Sequence, residues 1–449
     1  MTRVAVVGGG ITGLVAARDA ALAGADVTLV EPGRLGGKLQ TTAFDGHALD
    51  EAADAFLARV PEGVDLCHEL GLDGDLVSPA ERRAHVWSRG ELRRLPEEQV
   101  LGIPTDLDAL AASGIVSPEG LAAARRDLTT ALEAPPDDVA IGAFLRARLG
   151  DDVVDRLVDP LVGGINAGDT DELSLAATVP QLDAAARSGA PSMIEACAAQ
   201  RASVDRESPV FFAPRAGMGA LTDRLIAELD RLGVDVRPTA ATVVEGHDGH
   251  WDVALADGTR ATADAVIVAA PAYVAADVLR PVAARAATLL AAIPYASVAL
   301  VSIAVARASI DRDLDGSGYL IPRVEGLATT ACSWTSAKWP HQHGDGDTVW
   351  LRASVGRDGA PPTGDLEATV LADLAATMAL RGNALDLRVS DWPRSFPQYR
   401  PGHLARVDAI DADLAEHAPG VVVAGAAYRG LGVPACIRQA KLAVTRALR

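Results

Sequence analysis

A glycine-rich turn near the amino terminus carries the clearest chemical signal in the chain. Residues 4–14, VAVVGGGITGL, lead an apolar strand into Gly8, Gly10 and Gly13 and then into a helix. Gly8 permits a tight turn, Gly10 lets the backbone approach a pyrophosphate, and Gly13 lets the helix pack closely on the strand. The anion would then lie at a helix N-terminus, where backbone N–H groups are free to donate. This spacing predicts a dinucleotide-binding turn.

An acidic residue closes the next predicted strand. The segment DVTLVE ends on Glu31, whose carboxylate can accept hydrogen bonds from both hydroxyls of an adenosine ribose. A carboxylate at this position disfavours the 2′-phosphate of NADP, because the two groups would repel each other. Strand, glycine spacing and acid together favour an adenine dinucleotide over an unrelated glycine turn.

Two further segments would complete such a site. A second glycine pair, Gly36 and Gly37, lies between Arg34 and Lys38, so that cations could meet the same diphosphate from the other side. Near the other end of the chain, VVVAGAAYRGLGVPACI predicts a buried strand, a glycine turn and a helix from about Ala435. A helix N-terminus carries partial positive charge, which would stabilise negative charge on the pyrimidine end of a reduced flavin.

These motifs resemble the amine oxidase superfamily of flavoproteins, whose members share the R-x-G-G-R/K element and the closing motif. Within it the resemblance is greatest to the bacterial porphyrinogen oxidases, and it runs the length of the chain. The stretches that carry it are PLVGGINAGDTDELSL, FFAPRAGMGALTDRL, CSWTSAKWP, FPQYRPGHL and AYRGLGVPACI.

The resemblance implies FAD as the cofactor and no metal. The implied flavin contacts, together with the second glycine element, are Gly8, Gly9, Gly10, Ile11, Thr12, Gly13, Glu31, Pro32, Arg34, Gly36, Gly37, Lys38, Ala52, Ala53, Asp54, Ala55, Val243, Leu431, Gly432 and Val433. The chain departs from the family at one point. The family usually reads G-P-x-S-F where residues 52–56 read AADAF, so alanine replaces a glycine that lets the backbone approach the flavin ring.

Two residues are candidates for contact with the reacting substrate. Asp54 matches a variable family position near flavin and substrate, where it could orient a pyrrole N–H or assist proton loss; a structural turn is the alternative. Asn166 lies in residues 163–169, which resemble a family loop near the flavin face, and could hydrogen-bond a pyrrole. A helix-terminating Asn-Ala-Gly turn without substrate contact is its alternative.

The implied activity is the six-electron oxidation of coproporphyrinogen III to coproporphyrin III in haem biosynthesis, with dioxygen as acceptor and hydrogen peroxide as product. Protoporphyrinogen IX is the alternative substrate. A carotenoid desaturase or amine oxidase would share both ends of the chain, and a non-enzymatic FAD-binding scaffold is a third class. A haem-pathway chelatase is the partner that could receive the product.

The composition of the chain bears on which partners it can bind and on the cellular compartment in which we expect it. The net charge of -19 disfavours nucleic acid, because binding phosphates requires a basic surface. Four scattered cysteines fit a reducing cytosol, and no leader precedes the first strand, so we expect a cytoplasmic protein. Residues 286–306 carry no charge, yet Pro294 and the β-branched residues after it favour a short helix followed by a buried strand over a membrane span. Peripheral membrane contact is left open.

Other polar clusters have two interpretations each. His341, Gln342, His343, Asp345 and Asp347 show metal-ligand spacing, although a polar loop between strands is the preferred interpretation. A four-carboxylate substrate would need local cations in so acidic a protein. Our candidates are the basic residues beside family-like segments, with solvated surface positions as the alternative. They are Arg82, Arg94, Lys338 and Arg400.

The order of elements predicts how these residues are brought together. We expect an α/β fold in which a Rossmann-type FAD-binding domain is interrupted by a helical insertion and by a mixed β-sheet substrate domain. The FAD-binding parts are residues 1–78, 209–285 and 389–449; the helical insertion is 79–208, and the β-sheet substrate domain is 286–388.

Overall fold

The computed structural model of the protein describes residues 1–203, 208–342 and 346–449. These residues divide into two units. The first contains Met1–Ser78, Pro209–Pro294 and His403–Arg449, and the second contains Pro79–Ser208 and Tyr295–Gly402.

A parallel five-stranded sheet forms the centre of the first unit. Its strands, in spatial order, are Asp235–Arg237, Asp26–Val30, Arg3–Val7, Ala265–Val268 and Val421–Val423. Strand Arg3–Val7 is central and almost fully buried, because its apolar side chains are covered on both faces of the sheet. Strand Ala265–Val268 lies next to it, and strand Val421–Val423, which we predicted from VVVAG, lies one position further out, so the turn at Gly8 leaves the middle of the sheet.

Small antiparallel sheets and seven helices complete the first unit. The hairpin Thr41–Phe44 and His47–Asp50 turns at Asp45 and Gly46, both with positive φ, as the Asp-Gly pair predicts. The other strands are Phe56–Leu57, Leu76–Val77, Phe211–Pro214, Ala241–His247, His250–Leu255 and Arg260–Ala263. The helices are Ile11–Leu22, Pro61–Glu69, Gly219–Leu232, Ala272–Leu279, Ala284–Ala291, His403–His417 and Val433–Ala447.

A seven-stranded mixed sheet organises the second unit. In spatial order its strands are Asp386–Pro397, Tyr295–Ala306, Thr348–Val355, Thr329–Trp334, Gly318–Leu320, His85–Ser88 and Glu91–Arg94. The pair Gly318–Leu320 and His85–Ser88 is parallel and the other pairs are antiparallel. The expected helical insertion therefore also supplies two strands to this sheet, and strand Asp386–Pro397 crosses the boundary expected at residue 389.

Helices of the second unit enclose a separate apolar core. Leu145, Leu149 and Leu157 are among its fully buried residues. Ser117 caps helix Pro118–Arg125 by accepting from Gly120 N–H at 3.0 Å. The helices described in the second unit are Leu107–Ser113, Pro118–Arg125, Ile141–Leu149, Asp151–Val153, the π-helix Val154–Gly163, Gly164–Asn166, Leu175–Thr178, Pro180–Ala186, Met193–Ala202, Thr335–Lys338 and Leu366–Met378. A short hairpin joins strand Gln99–Val100 to strand Ile103–Pro104.

The uncharged stretch at residues 286–306 is a helix and a strand. Helix Ala284–Ala291 ends before Pro294, and strand Tyr295–Ala306 follows within the seven-stranded sheet. Among the described residues, no helix has both the length and the apolar character needed to cross a bilayer.

Candidate functional site

The glycine turn of the first unit has the geometry that a pyrophosphate requires. Gly8 has a φ of +108°, and a Cβ on Gly13 would lie 1.8 Å from Gly8 O, so neither position accepts a side chain. A Cβ on Gly10, by contrast, would meet no atom within 4 Å. Gly10 is the N-cap of helix Ile11–Leu22, and no side chain caps that helix. The turn thus presents open backbone and uncapped N–H groups, which fit the diphosphate of FAD.

Glu31 is bound to this turn through its carboxylate. Its Oε2 accepts from Gly9 N–H at 2.7 Å, and its Oε1 accepts from Gly33 N–H at 2.9 Å. A Cβ on Gly9 would lie 2.9 Å from Glu31 Cβ and 2.5 Å from Leu35 Cδ2, which explains why position 9 is also glycine. The carboxylate is therefore oriented beside the turn, where a ribose would follow the diphosphate.

The second glycine pair packs directly on the first turn. Gly36 N–H donates to Gly9 O at 2.8 Å, and a Cβ on Gly37 would lie 3.1 Å from Gly10 Cα. Both glycines have positive φ, at +105° and +57°. Arg34 and Lys38 have exposed side chains on either side of this pair. The two glycine elements therefore lie together, with Arg34 and Lys38 beside them, and their binding of a diphosphate stays a prediction.

The closing motif brings a second helix N-terminus into the first unit. Helix Val433–Ala447 starts from Gly432, and no side chain caps it. Arg429 holds the preceding loop through Asp408 at 2.8 Å and Asp411 at 3.2 Å. This helix packs against Ile11–Leu22, so the two uncapped helices are neighbours.

The segment that departs from the family pattern has ordinary backbone geometry. Residues 52–55 are half-buried and lack regular structure, and none of them has a positive φ. Alanine at position 52 therefore causes no backbone strain. Gly63 connects this region to the closing helix, because a Cβ there would lie 2.7 Å from Phe56 Cδ2 and 3.3 Å from Pro434 Cγ. Asp54 is half-buried in this segment.

Val243 lies on a different part of the first unit. It is half-buried in strand Ala241–His247, where the register with the next strand shifts between Ala241 and Val243. A bulge of this kind re-aims backbone groups near ligands in many sheets. Its contact with FAD stays a prediction.

Asn166 ends a helix in the second unit. It is 9% exposed, and its Nδ2 donates to Val162 O at 2.7 Å. Ala167 follows with a φ of +48°, so the turn interpretation of this segment is correct as far as the backbone is concerned. Gln398 Nε2 donates to Asn166 O at 3.0 Å and fixes the turn.

A narrow cleft opens beside this turn. Gly163, Ala167 and Asp159 line one part of it, and Arg357 lines another. Asp159 is 6% exposed, and burial raises the pKa of its carboxyl, although Arg323 and Thr170 act in the opposite direction. Part of the wall is the π-helix Val154–Gly163, an uncommon conformation that is frequent at functional sites.

The predicted substrate cations are mostly engaged elsewhere. Arg94 pairs with Glu97 at 2.9 Å, and Arg400 pairs with Asp358 at 3.1 Å. Lys338 Nζ lies 5.2 Å from the centre of the Trp339 ring. The backbone N–H of Arg82 donates to the Glu81 carboxylate at 3.1 Å.

Sequence reasoning missed Arg357 and Arg323. Arg357 stands in a Gly-Arg-Asp-Gly turn that resembles any polar loop, so only its spatial neighbours reveal it. The polar loop with metal-ligand spacing, which contains His341 and Asp347, is described only in part, because His343 and Asp345 lie outside the described residues. Within the described ranges, no group of three or more His, Cys, Asp or Glu side chains could hold a metal ion.

The chain is similar in sequence to known flavin-containing proteins. The family model "Flavin containing amine oxidoreductase" matches residues 11–448. A coproporphyrinogen III oxidase from Bacillus subtilis (strain 168) is 34% identical, with 99% of this chain and 97% of the relative covered. One of the same name from Mycobacterium leprae (strain TN) is 36% identical, with 98% and 96% covered.

A solved structure matches over nearly the whole chain as well. It comes from Exiguobacterium sp. 255-15 and carries a provisional protoporphyrinogen oxidase name. The TM-score is 0.88 at 30% identity, with 99% of this chain and 98% of that chain covered. The mixed α/β fold expected from the sequence is thereby confirmed.

Proposed function

Because the chain belongs to the flavin-containing amine oxidoreductase family, and within it to the porphyrinogen oxidases, we propose that it oxidises coproporphyrinogen III to coproporphyrin III. The observation that carries this proposal is the full-length similarity to relatives named coproporphyrinogen III oxidase, at 34% and 36% identity. A shared fold alone would not carry it, because one fold hosts many activities.

The protein binds FAD, and the first unit has the residues to hold it. Gly8, Gly10 and the N-terminus of helix Ile11–Leu22 would meet the diphosphate, while Glu31 would accept from the ribose. Held there, FAD would supply the redox chemistry that links oxidation of the porphyrinogen to reduction of dioxygen to hydrogen peroxide. The uncapped start of helix Val433–Ala447 favours negative charge at the flavin's pyrimidine end.

The chain's own residues then need to orient the substrate rather than activate it. A porphyrinogen gains aromaticity on oxidation, so positioning a meso carbon beside the flavin and excluding competing chemistry are the protein's main tasks. Pyrrole N–H groups are donors and require acceptors. Asp54 can accept through its carboxylate, and Asn166 through Oδ1, since its Nδ2 is bonded to Val162 O. We assign both residues to this role.

The full reaction removes six electrons and six protons in three rounds of flavin reduction. Coproporphyrinogen III is the first choice over protoporphyrinogen IX, because the relatives at 34% and 36% identity are named coproporphyrinogen III oxidase. The product is a metal-free porphyrin, so a haem-pathway chelatase is the partner that would use it. We place the protein in the cytoplasm, with at most peripheral membrane contact.

Anaerobic bleaching of the bound flavin tests the proposal. Coproporphyrinogen III and protoporphyrinogen IX are added separately to the oxygen-free holoenzyme, with phytoene and putrescine as probes for carotenoid desaturase and amine oxidase activity. We expect rapid loss of the flavin's visible absorbance with a porphyrinogen alone, and its return when air is admitted. Bleaching by phytoene or putrescine instead, or by none of the four, would reject the assignment.

A further inference from the structure

Arg357 is a half-buried arginine whose side chain has no carboxylate partner. Its backbone is fixed: Arg357 N–H donates to Ala360 O at 3.0 Å, and the next N–H, of Asp358, donates to Ala167 O at 2.7 Å. Across residues 1–203, 208–342 and 346–449, no Asp or Glu oxygen lies within 4.0 Å of its guanidinium, which also forms no hydrogen bond. The turn thus holds a guanidinium that forms no direct ion pair among these residues, and Asp159 and Asp169 act on it at longer range.

The acids around this turn are bound to other arginines. Asp169 Oδ2 lies 2.8 Å from Arg323 Nη1, and Asp159 Oδ2 lies 3.7 Å from Arg323 Nε. Asp358, adjacent in sequence, pairs with Arg400 at 3.1 Å. These carboxylates are paired with Arg323 and Arg400, and none of them forms a direct ion pair with Arg357.

The side chain of Arg357 lines the cleft beside the Asn166 turn. Gly163, Gly164 and Ala167 line the same cleft, together with Thr330. A Cβ on Gly164 would meet only Leu320 Cδ2, at 3.9 Å, so the small residues leave room in front of the arginine. The cleft is narrow, so only the end of a slender acid arm would reach the arginine through it.

The electrostatics of the cleft favour an anion. Burial, reinforced by the nearby Arg323, lowers the pKa of Arg357, even though Asp159 and Asp169 act in the opposite direction. An incoming carboxylate would accept two parallel N–H bonds from the guanidinium and offset the cost of burying it. A guanidinium fork matches a carboxylate in shape as well as in charge.

We propose that Arg357 is a specificity-determining residue that binds one propionate carboxylate of the porphyrinogen. The inference rests on the proposed function, because it is that function that supplies a ligand bearing carboxylate arms. It assigns the recognition of the acid arm to the turn at residues 356–360 rather than to the four cations expected from the sequence.

Binding of the product to Arg357→Gln holoenzyme tests this role without turnover. The dissociation constant of coproporphyrin III is measured from its fluorescence, beside that of its tetramethyl ester. Loss of a charge-assisted hydrogen bond should weaken coproporphyrin III binding by about tenfold to a hundredfold, while the ester binds equally to both proteins. Arg381→Gln is the matched control, because Arg381 is exposed and paired with Asp311 at 3.0 Å; it should change neither constant.

Two further measurements keep the outcome decisive. Arg357→Lys keeps the charge without the fork and should give intermediate affinity, with FAD content and melting temperature checked for each variant. Equal coproporphyrin III affinity in wild type and Arg357→Gln would overturn the inference. If Arg357→Gln does not fold, the comparison is made on the wild-type protein alone. Equal dissociation constants for coproporphyrin III and its tetramethyl ester would then overturn the inference. Failure of the proposed function is distinct, since wild-type protein would then oxidise neither porphyrinogen.

Discussion

The backbone N–H of Gly9 donates a 2.7 Å hydrogen bond to Oε2 of Glu31. This bond joins the turn after the first strand of the parallel sheet to the end of the neighbouring strand. Gly33 N–H holds the second oxygen at 2.9 Å, so the carboxylate is oriented from two sides. The group expected to accept from the ribose is therefore positioned by the polypeptide itself.

Glu31→Gln should weaken FAD binding while leaving the fold intact. Glutamine keeps one acceptor but removes the charge that strengthens the bonds to Gly9, Gly33 and the ribose. We expect the dissociation constant of FAD to rise by about tenfold in reconstitution of apoprotein followed by flavin fluorescence. Glu245→Gln is the control, on an exposed strand position 47% accessible. An unchanged constant would remove Glu31 from the site.

Gly10→Val and Gly13→Val should fail for different reasons. A Cβ on Gly10 meets nothing within 4 Å, so valine there should fold normally and occupy the space of the pyrophosphate, which gives a colourless, folded protein. A Cβ on Gly13 would collide with Gly8 O, which should destabilise the fold by about 1–3 kcal/mol or more. Melting temperature and flavin absorbance separate the two.

Gly74→Val is the matched control for this pair, since a Cβ there also meets nothing within 4 Å and lies outside the glycine turn. It should keep both fold and FAD. Full flavin occupancy in Gly10→Val would show that the open side of Gly10 does not face the cofactor.

The spacing of residues along the chain was sufficient to predict the glycine turn at residues 8–13, but it was not sufficient to identify Arg357 as a candidate for binding the substrate. The glycines and Glu31 lie within one βαβ unit, where spacing along the chain determines spacing in the fold. Arg357 stands out only because Asp159 and Asp169 lie near Arg323, and Asp358 pairs with Arg400. These partners come from distant segments, and single-sequence reasoning cannot assign them.

The same limit applies to the sheet of the second unit. Strand Tyr295–Ala306 was predictable from its run of β-branched residues, and it pairs over most of its length with Thr348–Val355. Strand His85–Ser88 was missed inside a segment expected to be mostly helical. It is short, and its parallel pairing with Gly318–Leu320 is a non-local contact that leaves no periodic signal.

Asp54→Ala should lower turnover without loss of FAD. If the carboxylate accepts from a pyrrole N–H, its removal should reduce kcat/KM for coproporphyrinogen III by about tenfold, the value of one charge-assisted hydrogen bond. Asp54→Asn, which keeps an acceptor, should fall between alanine and wild type. Initial rates at matched flavin content give the comparison. Wild-type kinetics in both variants would leave Asp54 a purely structural role.

Asp159→Asn should change the pH dependence of stability. Burial raises the folded-state pKa of this carboxyl above its ordinary value of 3.8. The stability that the bound proton contributes is complete below that value and is lost as pH rises through the folded-state pKa. Asparagine cannot ionise, so the variant's melting temperature should rise relative to wild type as the pH increases above 3.8. Asp277→Asn is the control, because the Asp277 side chain is 77% exposed. If the curves of melting temperature against pH for Asp159→Asn and wild type run parallel, the expectation is contradicted.

Salt should weaken the reaction of coproporphyrinogen III more than that of protoporphyrinogen IX. The protein carries a net charge of -19, so a four-carboxylate substrate depends on local cations that ionic strength screens over about 8 Å at physiological salt. Protoporphyrinogen IX has two vinyl groups in place of two propionates and should show a smaller rise in KM. Equal salt dependence of the two KM values would argue against recognition of the extra acids.

The most direct test is a side-by-side measurement of kcat/KM for the two porphyrinogens, with porphyrin fluorescence as the readout and air as the oxidant. The holoenzyme is assayed in low-salt, detergent-containing buffer, so that the solubility of protoporphyrinogen IX does not limit its rate. We predict a higher kcat/KM for coproporphyrinogen III, with hydrogen peroxide formed in step with porphyrin. An equal or higher kcat/KM for protoporphyrinogen IX would contradict the account.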